Sequence, residues 1–160
     1  MGRAERTPVL TDEFKSFLES GVSISIATRD ARLAPDGTRV WAATVDADRV
    51  HVTAYLTAKT ADPILANLEA NKQIALCFDR PSDSRACQLK GTFVGSRRCR
   101  PAEREEIERQ FEGFLADLAI IAVPRDMLSG WARWPAVAVR FKVTEIFKQT
   151  PGPGAGERMP

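Results

Sequence analysis

Val50-His51-Val52-Thr53-Ala54-Tyr55-Leu56, followed by Thr57-Ala58-Lys59-Thr60, is the stretch on which the reading of this chain turns. The first seven residues predict a strand, rich in β-branched and aromatic side chains. Next, Asp62 can cap a helix with Pro63 at its first position, Ile64, Leu65 and Leu68 facing inward, and Asn71 as terminator. Ile74, Leu76 and Phe78 then alternate along a strand over 73–79. Pro81 to Asp83 makes a turn, and Cys87, Leu89 and Phe93 alternate with Gln88, Lys90 and Thr92 along another strand.

Working outward, Thr11 is the expected N-cap of a first helix with Phe14, Phe17 and Leu18 on one face and Gly21 at its stop. Val22, Ile24 and Ile26 alternate with Ser23 and Ser25 as a half-buried strand, and the chain then turns through residues 30–37 on a Pro-Asp-Gly signal. Residues 40–46 and 50–56 read as a hairpin joined at Asp46-Ala47-Asp48. Pro101 and the acids Glu103, Glu105 and Glu106 open the longest helix, with Ile107, Phe111, Phe114, Leu115 and Leu118 as its apolar stripe. A last strand runs over about 137–147. These six strands, mostly consecutive and joined by short turns, predict an antiparallel sheet closed into a small barrel with helices on it, a mainly β (α+β) fold. One domain is expected over 1–150, with a Pro/Gly-rich tail over 151–160 that is either an arm on a partner or loose.

Composition narrows the function. A chain of 160 residues with 44% hydrophobic and 28% charged residues buries a core without disulfide or metal staples. A net charge of +2 gives no reason to expect nucleic acid, although Arg97, Arg98, Arg100 and Arg104 form a local basic knot, read as a solvated surface or an anion site. Cys77, Cys87 and Cys99 are odd in number and lack CxxC spacing, which predicts free thiols, no zinc site and a cytoplasmic setting. The apolar run 119–123 stops at Pro124, far short of the roughly 20 residues that span a bilayer.

The order of strand, Thr-x-Lys-Thr turn, helix ending Leu68-Glu69-Ala70-Asn71 and two further strands resembles the FMN-binding split β-barrel family of pyridoxamine 5'-phosphate oxidase. The likeness covers roughly residues 10–94 and 131–147. It implies a six-stranded antiparallel split barrel with flanking helices, working as a homodimer with FMN at the subunit interface. By that resemblance Thr57, Lys59 and Thr60 hold the FMN phosphate. Arg39, Val40 and Trp41 line the ribityl chain and ring, Gln88 and Lys90 approach from the fifth strand, and Trp131, in Trp131-Ala132-Arg133-Trp134-Pro135, belongs to the segment by which the partner closes over the flavin.

The residues themselves suit such a ligand: period-2 counting puts Thr57 and Lys59 on the side of Thr53 and Tyr55, and the amides ahead of Asp62-Pro63 point favourably for an anion. Each site residue also has a plainer reading, as a solvated turn for Thr57 to Thr60, a surface charge for Arg39, packing for Trp41, and solvent-facing strand residues for Gln88 and Lys90. Two departures argue against vitamin B6 oxidation: the oxidase's terminal Arg-x-His is missing, and the glutamine near the start of its fifth strand falls on Ala86.

The implied activity is flavin-mediated hydride transfer on a small-molecule substrate. The alternatives are a reductase using the deazaflavin coenzyme and a non-catalytic flavin- or haem-binding protein. No Ser-His-Asp set is evident. The single histidine, His51, reads as a structural strand residue, or as the haem ligand in the last alternative.

Overall fold

A computed structural model describes residues 7–160. Its elements, in chain order, are α1 (Asp12–Leu18), β1 (Ser23–Arg29), β2 (Pro35–Val40), β3 (Ala42–Val45), β4 (His51–Thr57), α2 (Ala58–Asn71), β5 (Gln73–Arg80), β6 (Arg85–Arg98), α3 (Glu103–Ile120), a short 3-10 turn (Arg125–Leu128) and β7 (Ala136–Lys148). The strands form one antiparallel sheet in the order β2-β1-β5-β6-β7-β4-β3. Strands β2 and β3 stand at opposite ends of that order, yet only Trp41 separates them in the chain. Such a connection requires the sheet to curl until its edges approach, and the result is the expected split barrel with flanking helices.

The sheet has seven strands rather than six. Pro35-Asp36-Gly37, expected within a turn, begins β2, paired with Arg29, Thr28 and Ala27 of β1. Proline is tolerated there because β2 is an edge strand and Pro35 its first residue. The turn is confined to residues 30–34, where the Asp30 carboxylate accepts the amides of Arg32 at 2.8 Å and Ala34 at 2.9 Å. Helix α1 starts as expected, its Thr11 hydroxyl accepting the Phe14 amide at 3.2 Å.

Helix α2 begins at Ala58, not at Asp62-Pro63, with Thr57 as its N-cap and Pro63 inside. The cost is a single intrahelical hydrogen bond, the one the residue-63 amide would have made to the Lys59 carbonyl. The tail is neither loose nor free-standing. It folds back on β7, with the Lys148 amide donating to the Glu157 carbonyl at 3.0 Å and the Met159 amide to Ile146 at 2.8 Å, while Met159 packs on the core.

Two cores result. The barrel interior holds Ile24, Ile26, Val52, Leu56, Leu76, Phe78, Leu89 and Phe141, joined by Leu18 of α1 and Ile64 and Leu68 of α2. Each such side chain removed from water contributes roughly 1.5–3 kcal/mol. The second core lies outside the barrel, where α3 lays Ile107, Phe111, Phe114, Leu115 and Leu118 on Trp41, Ala42, Tyr55, Ala136 and Ala138.

Gly21 sets how closely α3 approaches. Its φ is +90°, and a Cβ there would stand 2.2 Å from the Gln110 carbonyl. The Gln110 side chain, 1% exposed, supplies what β3 lacks on its open side: its Oε1 accepts the Ala43 amide at 3.0 Å, and its Nε2 donates to the Ala43 carbonyl at 2.7 Å. Among the described residues no helix is long and apolar enough to cross a membrane.

Candidate functional site

Strand β4 sorts its side chains by parity. Val52, Ala54 and Leu56 enter the barrel core, while Tyr55 faces the layer under α3, leaving Thr53 and Thr57 on the same outer side. Thr57 is buried and caps α2 through its backbone position alone, without a side-chain cap bond.

Lys59 and Thr60 follow in the first helical turn, both exposed. Because Lys59 is helical, strand parity does not place it. The helix does, by setting it beside the amides of residues 59 and 60, which no intrahelical carbonyl can reach. The Ala58 amide is already used by the Pro135 carbonyl at 2.8 Å. This first turn carries no acidic residue, so the positive end of a 14-residue helix is not neutralised from within.

The Thr60 hydroxyl meets the Thr38 hydroxyl at 3.0 Å, which ties the start of α2 to β2. One residue along β2, the Arg39 guanidinium lies among aromatic rings, 5.9 Å from the Trp41 centroid and 5.4 Å from those of Phe114 and Trp131. Its side-chain hydrogen bond is a long one, 3.3 Å to the Ser23 hydroxyl. Burial pushes its pKa down, with Asp79 pulling weakly the other way.

Trp41 is 8% exposed and meets Phe111 and Trp131 edge-on, each at 5.7 Å. Its indole Nε1 is buried with no hydrogen-bond partner. A buried donor left unpaired costs about 1–3 kcal/mol, so an acceptor reaching it would recover that penalty.

The sequence-derived set therefore separates into three groups. Thr57, Lys59 and Thr60 stand together at the start of α2, and Arg39, Trp41 and Trp131 form an aromatic cluster, linked to that start through Thr38, the neighbour of Arg39 on β2. Gln88 and Lys90 lie on the outer face of β6, Gln88 in the row Arg39, Ser25, Cys77, Gln88, Phe147 that crosses β2, β1, β5, β6 and β7. Three strand spacings, about 14 Å, separate Gln88 from Arg39 within one chain. The Gln88 amide meets Cys77 Sγ at 3.4 Å, and the Lys90 ammonium lies 4.7 Å from the Phe147 ring centroid. Val40 points into the barrel core at 2% exposure, so its side chain lines no surface site.

Sequence reasoning passed over Thr38, Phe114 and Gln110 as members of this neighbourhood. Gln110 did carry a signal, being the polar residue within the apolar stripe of α3.

The thiols offer no nucleophile at two positions: burial pushes Cys87 up to about 12 and Cys99 up to about 11. No group of three or more His, Cys, Asp or Glu among the described residues could hold a metal ion. The His51 Nδ1 lies 2.6 Å from the Asp48 carboxylate. Asp48 also accepts the amides of His51 and Val50, and these bonds hold its pKa well below the usual carboxylate range.

A curled antiparallel sheet with flanking helices defines a split-barrel class of proteins. The family model for pyridoxamine 5'-phosphate oxidase matches residues 10–126, and the chain belongs to that family. No curated protein matches it. Among solved structures, an F420 reductase superposes with a TM-score of 0.57 at 18% identity, covering 87% of this chain and 99% of that one. HupZ from Group A Streptococcus gives 0.55 at 18% identity, covering 91% and 98%. An FMN-binding protein from Syntrophomonas wolfei gives 0.52 at 12% identity, covering 83% and 81%. At these identities the likeness is one of fold.

Proposed function

We propose that this protein binds FMN as a homodimer and acts as a flavin-dependent oxidoreductase on a small molecule. The observation that carries this reading is an acid-free helix start tied by a hydroxyl contact to β2, the strand that also carries Arg39 and leads into Trp41. Thr38 touches the acid-free start of α2, and Arg39 and Trp41 follow directly with an aromatic cluster.

FMN has the same two ends, a dianionic phosphate and a flat ring with acceptor atoms on its edge. Lys59, the Thr60 hydroxyl and the amides of residues 59 and 60 would hold the phosphate. Trp41 and Trp131 would wall the ring, and the unpartnered indole N–H and the Arg39 guanidinium are donors for its polar edge. Bound flavin supplies hydride acceptance and donation, while the protein supplies position and exclusion of water. Gln88 and Lys90 lie too far across the sheet to join that cluster in one chain. They complete the site from the outward sheet face when a second copy docks there.

A visible absorption spectrum of the purified protein, repeated after excess FMN and desalting, tests this. Retained flavin bands, with oxidation of reduced nicotinamide on turnover, are the expected result. A colourless protein that rejects FMN overturns it. The fold shared with an F420 reductase then makes the deazaflavin coenzyme the next ligand to add, and a Soret band would direct attention to His51 and haem.

A further inference from the structure

Where α3 crosses the loop after α1, helix and barrel end part to leave a cavity of about 250 Å³. Glycines set the close approach on one side of it. A Cβ on Gly113 would stand 2.4 Å from the Ser20 carbonyl oxygen, and one on Gly21 would stand 2.7 Å from the Phe114 amide nitrogen. One turn further along, α3 is tied to the turn between β5 and β6, where the Asp117 carboxylate accepts the Ser82 amide at 3.1 Å and also the Ser82 hydroxyl. These two ties, Gly113 and Asp117, are about 6 Å apart along the helix axis. Between them Ala116 offers only a methyl group, so the gap stays open.

The cavity carries one charge of each sign. Arg80, at the end of β5, holds Asp83 through Nε at 3.0 Å and Nη2 at 2.5 Å, which leaves Nη1 without a hydrogen bond among the described residues. Asp117 gives one acceptor position of each oxygen to Ser82, and a carboxylate has about four. Both groups line the cavity, yet Arg80 pairs with Asp83 and not with Asp117. The hydrogen bond to Asp83 pushes the Arg80 pKa up and the Asp117 charge adds to it, as opposite charges within reach of each other do. Val22, Ala116 and Ile120 supply the apolar wall. Ile120 is 72% exposed, the most exposed large hydrophobic side chain among the described residues.

This combination restricts the ligand. Small-molecule sites usually run to about 300–1,000 Å³, so the cavity suits a small metabolite rather than a nucleotide. A simple anion at Arg80 would be opposed by Asp117, and a simple cation at Asp117 by Arg80. A zwitterion meets both, and an aliphatic tail removes Ile120 from water. We infer that the cavity between α3 and the β5–β6 turn binds an aliphatic α-amino acid, its carboxylate on Arg80, its ammonium on Asp117 and its side chain against Ala116 and Ile120. Gly113 and Val22 are followed in the chain by Phe114 and Ser23, both neighbours of Arg39, so the cavity adjoins the aromatic cluster while sharing none of the residues assigned to flavin.

Titration calorimetry of the purified protein with L-leucine, without added flavin, tests the site independently of the flavin reading. Leucine is expected to bind. Isovalerate, which lacks the ammonium group, and isopentylamine, which lacks the carboxylate, are expected to bind about tenfold or more weakly. Ala116→Leu fills the cavity from an exposed helix position and is expected to abolish leucine binding. Asp117→Asn keeps an acceptor for Ser82 and is expected to weaken leucine while leaving isovalerate unchanged. A thermal melt of each variant establishes that it is folded.

The proposal is overturned by a protein that does not bind leucine, or by leucine binding no tighter than either analogue. Unaltered leucine affinity in folded Ala116→Leu overturns it as well, and so does an equal loss of leucine and isovalerate in Asp117→Asn.

Discussion

Strand β4 serves both cores of the molecule, giving Val52, Ala54 and Leu56 to the barrel interior and Tyr55 to the layer under α3. The interior is mostly aliphatic and phenyl. The outer layer is aromatic and contains the orphaned Trp41 indole N–H, bordered by the half-buried Arg39, which lies among rings. The contrast separates two jobs that a single strand performs: the inward residues hold the barrel closed, and the outward layer keeps donors available. On the proposed reading, recognition would belong to the second face, which is also a packed core of its own.

The sharpest way to break that division is to cut the interior. Phe78→Ala, at a fully buried position, is expected to cost about 3–5 kcal/mol of unfolding free energy in a denaturant titration. A loss as small as a surface substitution gives would refute a close-packed barrel. Gln110→Ala comes next, at about 1–3 kcal/mol, because it strands the amide and carbonyl of Ala43 under the helix.

Lys59→Ala tests the recognition side. FMN affinity should fall by about 1–2 kcal/mol with the melting temperature unchanged, and unaltered affinity would remove Lys59 from the phosphate site. Trp41→Phe keeps a ring but deletes the indole donor. It should leave the free protein at least as stable while weakening FMN by about 1 kcal/mol, and a stability loss with no change in binding would place Trp41 with the interior in function.

The smallest effect concerns pH. The Arg97 side chain, followed by the Arg100 amide, lowers the Glu103 pKa from its ordinary 4.5 to about 2. A depressed carboxylate contributes stability above its unfolded value. That contribution declines as pH drops below 4.5 and is gone below about 2. In Glu103→Gln, acid unfolding curves should lack this component, and an unchanged curve would deny the pair any role.

Alternation made the strands around Ile24, Leu76, Leu89 and Val139 legible, because period-2 burial is written in the local sequence. Residues 35–37 were misplaced because a proline and a glycine at the start of an edge strand look the same as those of a turn. The start of α2 was misplaced because Pro63, a common first residue of a helix, is here tolerated one turn inside it.

For the candidate site, Lys59 and Thr60 were legible from the turn that carries them. The meeting of Arg39, Trp41 and Trp131 under Phe114 was not, since it depends on β2 reaching α3 only after the sheet curls. Closure is a long-range event that no local window contains.

The Gln110 amide against Ala43 bears on how copies of this protein can associate. A sheet propagates from molecule to molecule when an unpaired strand offers its ladder to a stranger. At one margin that offer is already taken by a helix side chain, and at the other Pro35 has no N–H to extend. Growth in the plane of the sheet is thus discouraged at both ends. The proposed homodimer would instead use the outward face of β1, β5 and β6, where two copies that meet face to face leave no ladder open to a third.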